Sequence, residues 1–416
     1  MRVVLPSGLR VIVDEVPSAK SVSVGVWVGA GSRHEPSDLH GVSHFIEHML
    51  FKGTKGRSAK EIADTIESRG GQLNAVTTRE CTCLDARVLG DDLEVALDVL
   101  SDMVSRPTFA PPDIEKEKRV VIEEIRSSED VPEENVHELG VRAAWPENPI
   151  GRDTLGTVRG VRGLDRDAII EAFRARYVAG NMAVVAAGNC SHESVISAVE
   201  RWFQDVPRGR FLPAVVRPEV CARTLVQTRR TEQAHLCVVS PGADAGSPDS
   251  YALHLLAMIL GGGSGSRLFQ AVREDRGLAY SIYTYHLGYS DCGLLITYAG
   301  TSPSSAPELE TGIFREYERV AERGPTAREL SSAKMQARAA LLMSLESVSA
   351  RMDRLGKSEM TLGRPVTVDE ALASVEGVTL ALVTEVARRT LIPNRSSVAW
   401  IAPGAGKGGG RDGQTG

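Results

Sequence analysis

The sequence predicts an α+β fold built as two homologous domains, and three observations carry that expectation. The chain has 416 residues, more than one hydrophobic core usually serves, so two units of about 200 residues are the starting division. Strand-like alternation and helix-like periodicity follow one another along the chain. The second half also repeats the plan of the first. Ala234 to Val239 is strand-like as Val22 to Val28 is, and Tyr251 to Gly261 is helical as Val42 to Gly53 is. Setting Ala257-Met258-Ile259-Leu260 against His48-Met49-Leu50-Phe51 places Leu253, Leu256 and Ala257 where the first half has His44, Glu47 and His48. Such a repeat describes an ancestral domain that duplicated, with one copy keeping the polar trio.

Residues 1 to about 30 suggest two strands, the second being Ser21 to Val28 with valine at 22, 24, 26 and 28. Helical periodicity starts after Ser37-Asp38 and ends at Gly53, a cap at each end. A second helix fits Ser58 to Arg69; Gly70-Gly71 then turns into one long strand-like run from Gln72 to Leu89. Helices fit Leu93 to Ser105 and Asp113 to about Ser128, the latter preceded by Pro111-Pro112. A loop around Trp145 to Gly151, a helix near Asp165 to Tyr177 and a strand from Ala183 to Gly188 close the first half. Glu200 to Pro213 reads as helix end and linker. The expected division is a first domain over 1–205, a linker over 206–218, a second domain over 219–403 and a disordered glycine-rich tail over 404–416.

Composition excludes several functions. Forty-eight basic residues against 54 acidic ones leave a net charge of -6, spread without a basic patch, so no nucleic acid is expected as a partner. The six cysteines are too few for a disulfide scaffold; Cys81 and Cys83 share a face of a strand-like run and read as reduced core residues. The start, MRVVLPSGLRVIVDEVP, lacks an apolar signal core, and no apolar run reaches about 18 residues. The expected location is therefore cytoplasmic, with no membrane partner. Gly261 to Ser266 is glycine-rich but lacks the lysine and spacing of a phosphate-binding loop.

The chemistry concentrates on the first amphipathic helix. Leu39, Val42, Phe45, Ile46, Met49 and Leu50 fall in one arc about 140° wide, with His44, Glu47 and His48 opposite. A polar face usually means solvent, but two histidines four apart project side by side and can share a metal. Glu47 can then reach a water beside that metal, take its proton and pass it to a leaving amine. His40 lies on the same face and reads as a bystander. A catalytic zinc needs a third protein ligand. The helix after Asp113 offers several glutamates, among which Glu117 and Glu124 share a face about 20° apart in phase and roughly 10 Å apart along the axis. One can ligate and the other support, while Glu123 lies about 100° round the helix and should point away.

The stretch HFIEHMLFKGT, His44 to Thr54, resembles the zinc peptidases of the pitrilysin and mitochondrial-processing-peptidase family, M16, whose signature is H-x-x-E-H followed by a distant glutamate. The interval of 76 positions from His48 to Glu124 is similar to that of the processing-peptidase branch, and EKRVVIEEI, Glu117 to Ile125, resembles the family's ligand helix. The resemblance spans nearly the whole chain. It implies one zinc held by His44, His48 and Glu124, with Glu117 in support and Glu47 as the catalytic residue. GGQLNAVTTRE, Gly70 to Glu80, resembles the family's edge strand, which implies substrate pairing at Asn74 and Ala75. SRLFQAVREDRGLAYSIY resembles the opposing segment of the second half, which implies that Arg273 binds substrate and Tyr280 stabilises developing charge. The family often has aromatics in the strand at Cys81 to Asp85; here Cys81, Leu84 and Asp85 stand instead, which bears on side-chain preference. The resemblance also implies two mostly antiparallel sheets packed with helices and closing as a clamshell on unfolded or short peptides. It implies a homodimer, or a heterodimer with a related chain. The alternatives are a non-catalytic partner or scaffold subunit of the same family, against which the intact polar set argues, and a small-molecule lyase, which would be much shorter.

Overall fold

The structure, a computed structural model, describes residues 1–403; the tail expected over 404–416 lies outside the described residues. Eleven strands are described: β1 (Arg2–Val4), β2 (Arg10–Glu15), β3 (Ser21–Val28), β4 (Gln72–Thr77), β5 (Thr82–Leu89), β6 (Met182–Gly188), β7 (Thr224–Arg229), β8 (Ala234–Pro241), β9 (Ser281–Gly288), β10 (Gly293–Thr301) and β11 (Ser397–Pro403). They form two sheets, ordered β1-β2-β6-β3-β5-β4 and β7-β11-β8-β10-β9. Each has one parallel pair, β2 with β6 and β7 with β11, and is otherwise antiparallel. Laying β2-β6-β3-β5-β4 on β7-β11-β8-β10-β9 matches the parallel pairs, so the repeat legible in two short stretches runs through both sheets.

The first sheet buries both faces. Val22, Val24, Val26 and Val28 of β3 meet the helices α1 (Val42–Leu50), α2 (Ala59–Glu67), α3 (Leu93–Ser105) and α4 (Pro111–Glu129) in one core. Trp27, Cys81 and Cys83 point the other way, against Met352 and Leu355 of the helix Val348–Leu362 from the second half. A side chain at Gly356 would meet the Trp27 indole at 2.0 Å, so glycine there lets that helix lie flat on the sheet. Trp27 Nε1 donates to Met352 Sδ at 3.2 Å, and the fully buried Glu359 accepts from Arg2 and Arg10.

The exchange is reciprocal. The helix α5 (Pro132–Ala144), from the first half, covers the second sheet: Val136, Leu139 and Ala144 pack with Cys237, Val239, Leu294 and Ile296. Gly140 sits where a Cβ would meet Cys237 Sγ at 2.8 Å. Each sheet is thus roofed on one face by a helix belonging to the other half, and residues 206–223 join the halves without helix or strand beyond Val206.

Three expectations need correction. The single run from Gln72 to Leu89 is a hairpin of β4 and β5, because Thr78 makes the turn: its N–H donates to Cys81 O at 2.8 Å and its hydroxyl accepts from Cys81 N at 3.1 Å. The segment before the first functional helix is separate, since Ser37–Leu39 forms its own short turn and Gly41, at φ 99°, precedes α1. Residues 1–30 hold three strands, β1 being turned onto β2 through Gly8 at φ 94°. The six cysteines are free, four of them buried.

Candidate metal centre

Glu35 starts the helix that carries the polar trio. Its buried carboxylate accepts from Gly41 N and Ser43 N, both at 2.7 Å, so two of the orphan N–H groups at the start of α1 are met by one charged side chain. Val42, Phe45, Ile46, Met49 and Leu50 fix the opposite face in the first core. The polar face is buried as well, His44 at 6% and Glu47 at 9% exposed, because α4 and the end of β4 close over it. Burial of polar groups on a helix is costly unless they have partners, and the partners define the site.

His44 Nε2 lies 3.7 Å from Glu124 Oε1, and His48 Nε2 lies 3.3 Å from Glu124 Oε2. One donor atom from each of the three residues falls within 4.8 Å of the others. Ligands about 2.1 Å from a tetrahedral zinc stand about 3.4 Å apart, so the set of two imidazoles and a carboxylate fits that ion in type and spacing. The second ring nitrogen of His48 is engaged by Glu117 Oε1 at 2.9 Å, which leaves Nε2 to face the other two donors, while Lys52 Nζ holds Glu117 Oε2 at 2.8 Å. Thr77 Oγ1 donates to Glu47 Oε2 at 2.5 Å.

The electrostatics match a place for a cation. Burial opposes charge on His48, but hydrogen bonds to Glu117 and Glu124 prevail and push it up to about 9. The two carboxylates that favour positive charge on His48 would favour a cation there in the same way. Burial and the nearby His48 push His44 down to about 4, so it is neutral and available as a ligand. The Glu124 carboxyl is held low, first by its hydrogen bond from His48; Glu117 is also held low, since His48 and Lys52 outweigh burial. Burial pushes Glu47 the opposite way, up, against the hydrogen bond from Thr77.

Residues 10–158 match the family description "Insulinase (Peptidase family M16)" and residues 163–337 match "Peptidase M16 inactive domain". The chain belongs to peptidase family M16. Among its M16 relatives, the Bacillus subtilis protein named "Uncharacterized zinc protease YmxG" is 39% identical over 95% of this chain and 97% of its own. A Streptomyces coelicolor protein, also named an uncharacterized zinc protease, is 40% identical over 97% of this chain and 89% of its own. Two solved structures share the M16 fold at 20% identity: a peptidase M16 inactive domain from Pseudomonas fluorescens (TM-score 0.89, 97% of both chains) and a protease from Helicobacter pylori (TM-score 0.90, 97% of this chain and 99% of that one).

The other residues singled out from the M16 resemblance make no hydrogen bond or ion pair to His44, His48 or Glu124 among the described residues but lie at definite places in the fold. Asn74 and Ala75 lie on β4, which among the described residues pairs only with β5 and forms a sheet edge. Arg273 is exposed with its guanidinium 4.6 Å over the Phe269 ring, and Tyr280 is 59% exposed just before β9. Among the described residues no hydrogen bond or ion pair links either of them to the donor cluster. His40 turns away to Asp153 O at 2.7 Å, and Glu123 pairs on the surface with Arg126. Lys52, Glu35 and Thr77 were not foreseen. Lys52 had a signal, lying one turn beyond His48; the other two are brought in by tertiary structure alone. Among the described residues no helix is long and apolar enough to cross a membrane.

Proposed function

We propose that this M16 member is a zinc-dependent endopeptidase in which His44, His48 and Glu124 hold one zinc ion per chain and Glu47 is the general base. The observation that carries the reading is the buried Glu47 carboxyl beside three converging donors. When bound, zinc would polarise the scissile carbonyl and acidify the attacking water. Thr77 occupies Glu47 Oε2, so Oε1 takes the water's proton and delivers it to the nitrogen of the leaving amine. Glu117 fixes the tautomer and ring angle of His48, and Lys52 fixes Glu117. The open edge of β4 at Asn74 and Ala75 would add an extended substrate as a further strand, which selects unfolded or short peptides over folded ones. Arg273 would hold substrate and Tyr280 would donate to the oxygen on which charge develops, both from the second half. Six free cysteines suit a reducing, cytoplasmic setting.

The test sets wild type beside Glu47→Gln, with zinc content and cleavage of a mixed peptide library measured on both. The amide keeps the shape and cannot accept a proton, so zinc should stay and cleavage should fall by about 10²- to 10⁴-fold. A zinc-replete Glu47→Gln protein that cleaves as wild type does would refute the mechanism.

A further inference from the structure

Thr77 is the last residue of β4, and its hydroxyl is the group that touches the base. The neighbouring hydroxyl of Thr82, 3.3 Å away, gives its proton to Ala30 O at 3.0 Å, so the proton facing Glu47 is that of Thr77. The turn that follows, Thr78 to Cys81, is fixed from two directions. Ser32 N and Arg33 N donate to the carbonyls of Thr78 and Arg79 at 3.2 and 2.9 Å, an approach that only glycine at 31 permits, since a Cβ there would lie 2.2 Å from Thr78 O. From the second half comes the β9–β10 turn. Ser290 donates to Glu80 through its N–H at 2.9 Å and its hydroxyl at 2.6 Å. The buried Arg33 spans both turns, reaching Glu80 at 2.5 Å and Asp291 with two bonds of 2.9 and 3.0 Å. The pairing of a fork-shaped guanidinium with a carboxylate is directional as well as strong.

We infer that Thr77 is a positioning residue that orients Glu47, and that the clamp of Arg33, Glu80, Ser290 and Asp291 makes this orientation depend on the second half being seated. The inference rests on the reading of Glu47 as general base. Its logic is geometric: only Thr78 and Arg79 separate Thr77 from Glu80, both of their carbonyls are braced, and a shift at Ser290–Asp291 has little slack to absorb it before reaching the hydroxyl.

Thr77→Val removes the hydroxyl with little change of shape, and Thr77→Ser keeps it. With zinc retained, Thr77→Val should lower kcat about 10- to 100-fold at nearly unchanged KM, and Thr77→Ser should restore most of it. In a Glu47→Gln background Thr77→Val should add nothing. Asp291→Asn should lower kcat in the same sense by a smaller factor, and its effect should vanish in the Thr77→Val background. Crystal structures provide a readout independent of turnover: Glu47 should hold one orientation in wild type and Thr77→Ser and leave it in Thr77→Val. Unchanged kcat and unchanged Glu47 orientation in Thr77→Val would overturn the role of Thr77; full additivity of Asp291→Asn with Thr77→Val would overturn the clamp. A wild type that binds zinc but cleaves nothing would count against the peptidase reading alone, and the Glu47 orientations would still decide this one.

Discussion

The helix α1 and the second-half helix Asp249–Gly261 occupy equivalent places, each following the central strand of its sheet and preceding a hairpin. Their interiors differ in kind. In the first, His44 and Glu47 are buried, and His44 Nε2, both ring nitrogens of His48 and Glu47 Oε2 meet partners supplied from α4 or β4. In the second, Leu253, Leu256 and Ala257 fill the same positions at 2%, 0% and 2% exposure and need no partner beyond other side chains. A buried polar face survives only with a dedicated set of neighbours. Once the set is absent, leucine and alanine are the stable answer at that site.

The largest effect should come from breaking the set itself. His44→Ala, His48→Ala or Glu124→Ala should strip most of the zinc, whereas Glu123→Ala, on the exposed side of α4, should leave metal content at the wild-type level. Metal analysis of the four purified proteins reads this directly, and zinc loss in Glu123→Ala with retention in Glu124→Ala would put the ligand helix in the wrong register. Tyr280 is the second-half residue proposed to meet the reacting atoms themselves. Tyr280→Phe should reduce kcat by roughly 10- to 1000-fold with zinc retained; steady-state kinetics with unaltered kcat would remove Tyr280 from the chemistry. Converting the apolar helix toward the polar one tests the comparison from the other side. Leu256→Gln, at the position equivalent to Glu47 and without a hydroxyl to meet it, should cost about 2 to 4 kcal/mol in urea-induced unfolding.

The smallest effect lies on the back of the first sheet. Asp85 there faces Asp353 of the exchanged helix rather than a cation, and burial first, then that second carboxylate, push it up to about 6. Because its pKa in the fold lies above the unfolded value, stability should decline as pH rises through about 4 to 6 and remain lower beyond. Asp85→Asn should therefore raise stability at pH 7, by on the order of 1 kcal/mol given its partial exposure, and change little at pH 4. A thermal-melt series across that range would expose a wrong sign.

The trio on α1 was legible from spacing because two histidines and a glutamate on one helix face form a local pattern. Glu124 was not; several glutamates on α4 satisfied the same geometry, and only the family resemblance chose among them. The α+β mixture and the two-fold plan followed from periodicity, length and the repeat, whereas the two mostly antiparallel sheets were implied by the family resemblance. What escaped was set by distant contacts. The hairpin at Thr78 to Cys81 contains no glycine, proline or asparagine, so its hydroxyl-made turn resembled continued strand. The helix α5 gave no distinct signal, since its apolar residues face a sheet that lies a hundred positions further along. Glu35, Thr77 and the Arg33 clamp owe their roles to neighbours that no window of sequence contains.

The exchange of helices changes what chain continuity means for this molecule. If the backbone were cut anywhere in 206–223, each fragment would carry a sheet lacking one roof and a helix lacking its own floor, and each would hold the piece the other lacks. The two fragments would be complementary partners rather than independent domains. The connecting segment therefore sets the effective concentration at which the halves find each other, while the mutual roofing by α5 and the helix Val348–Leu362 keeps them together.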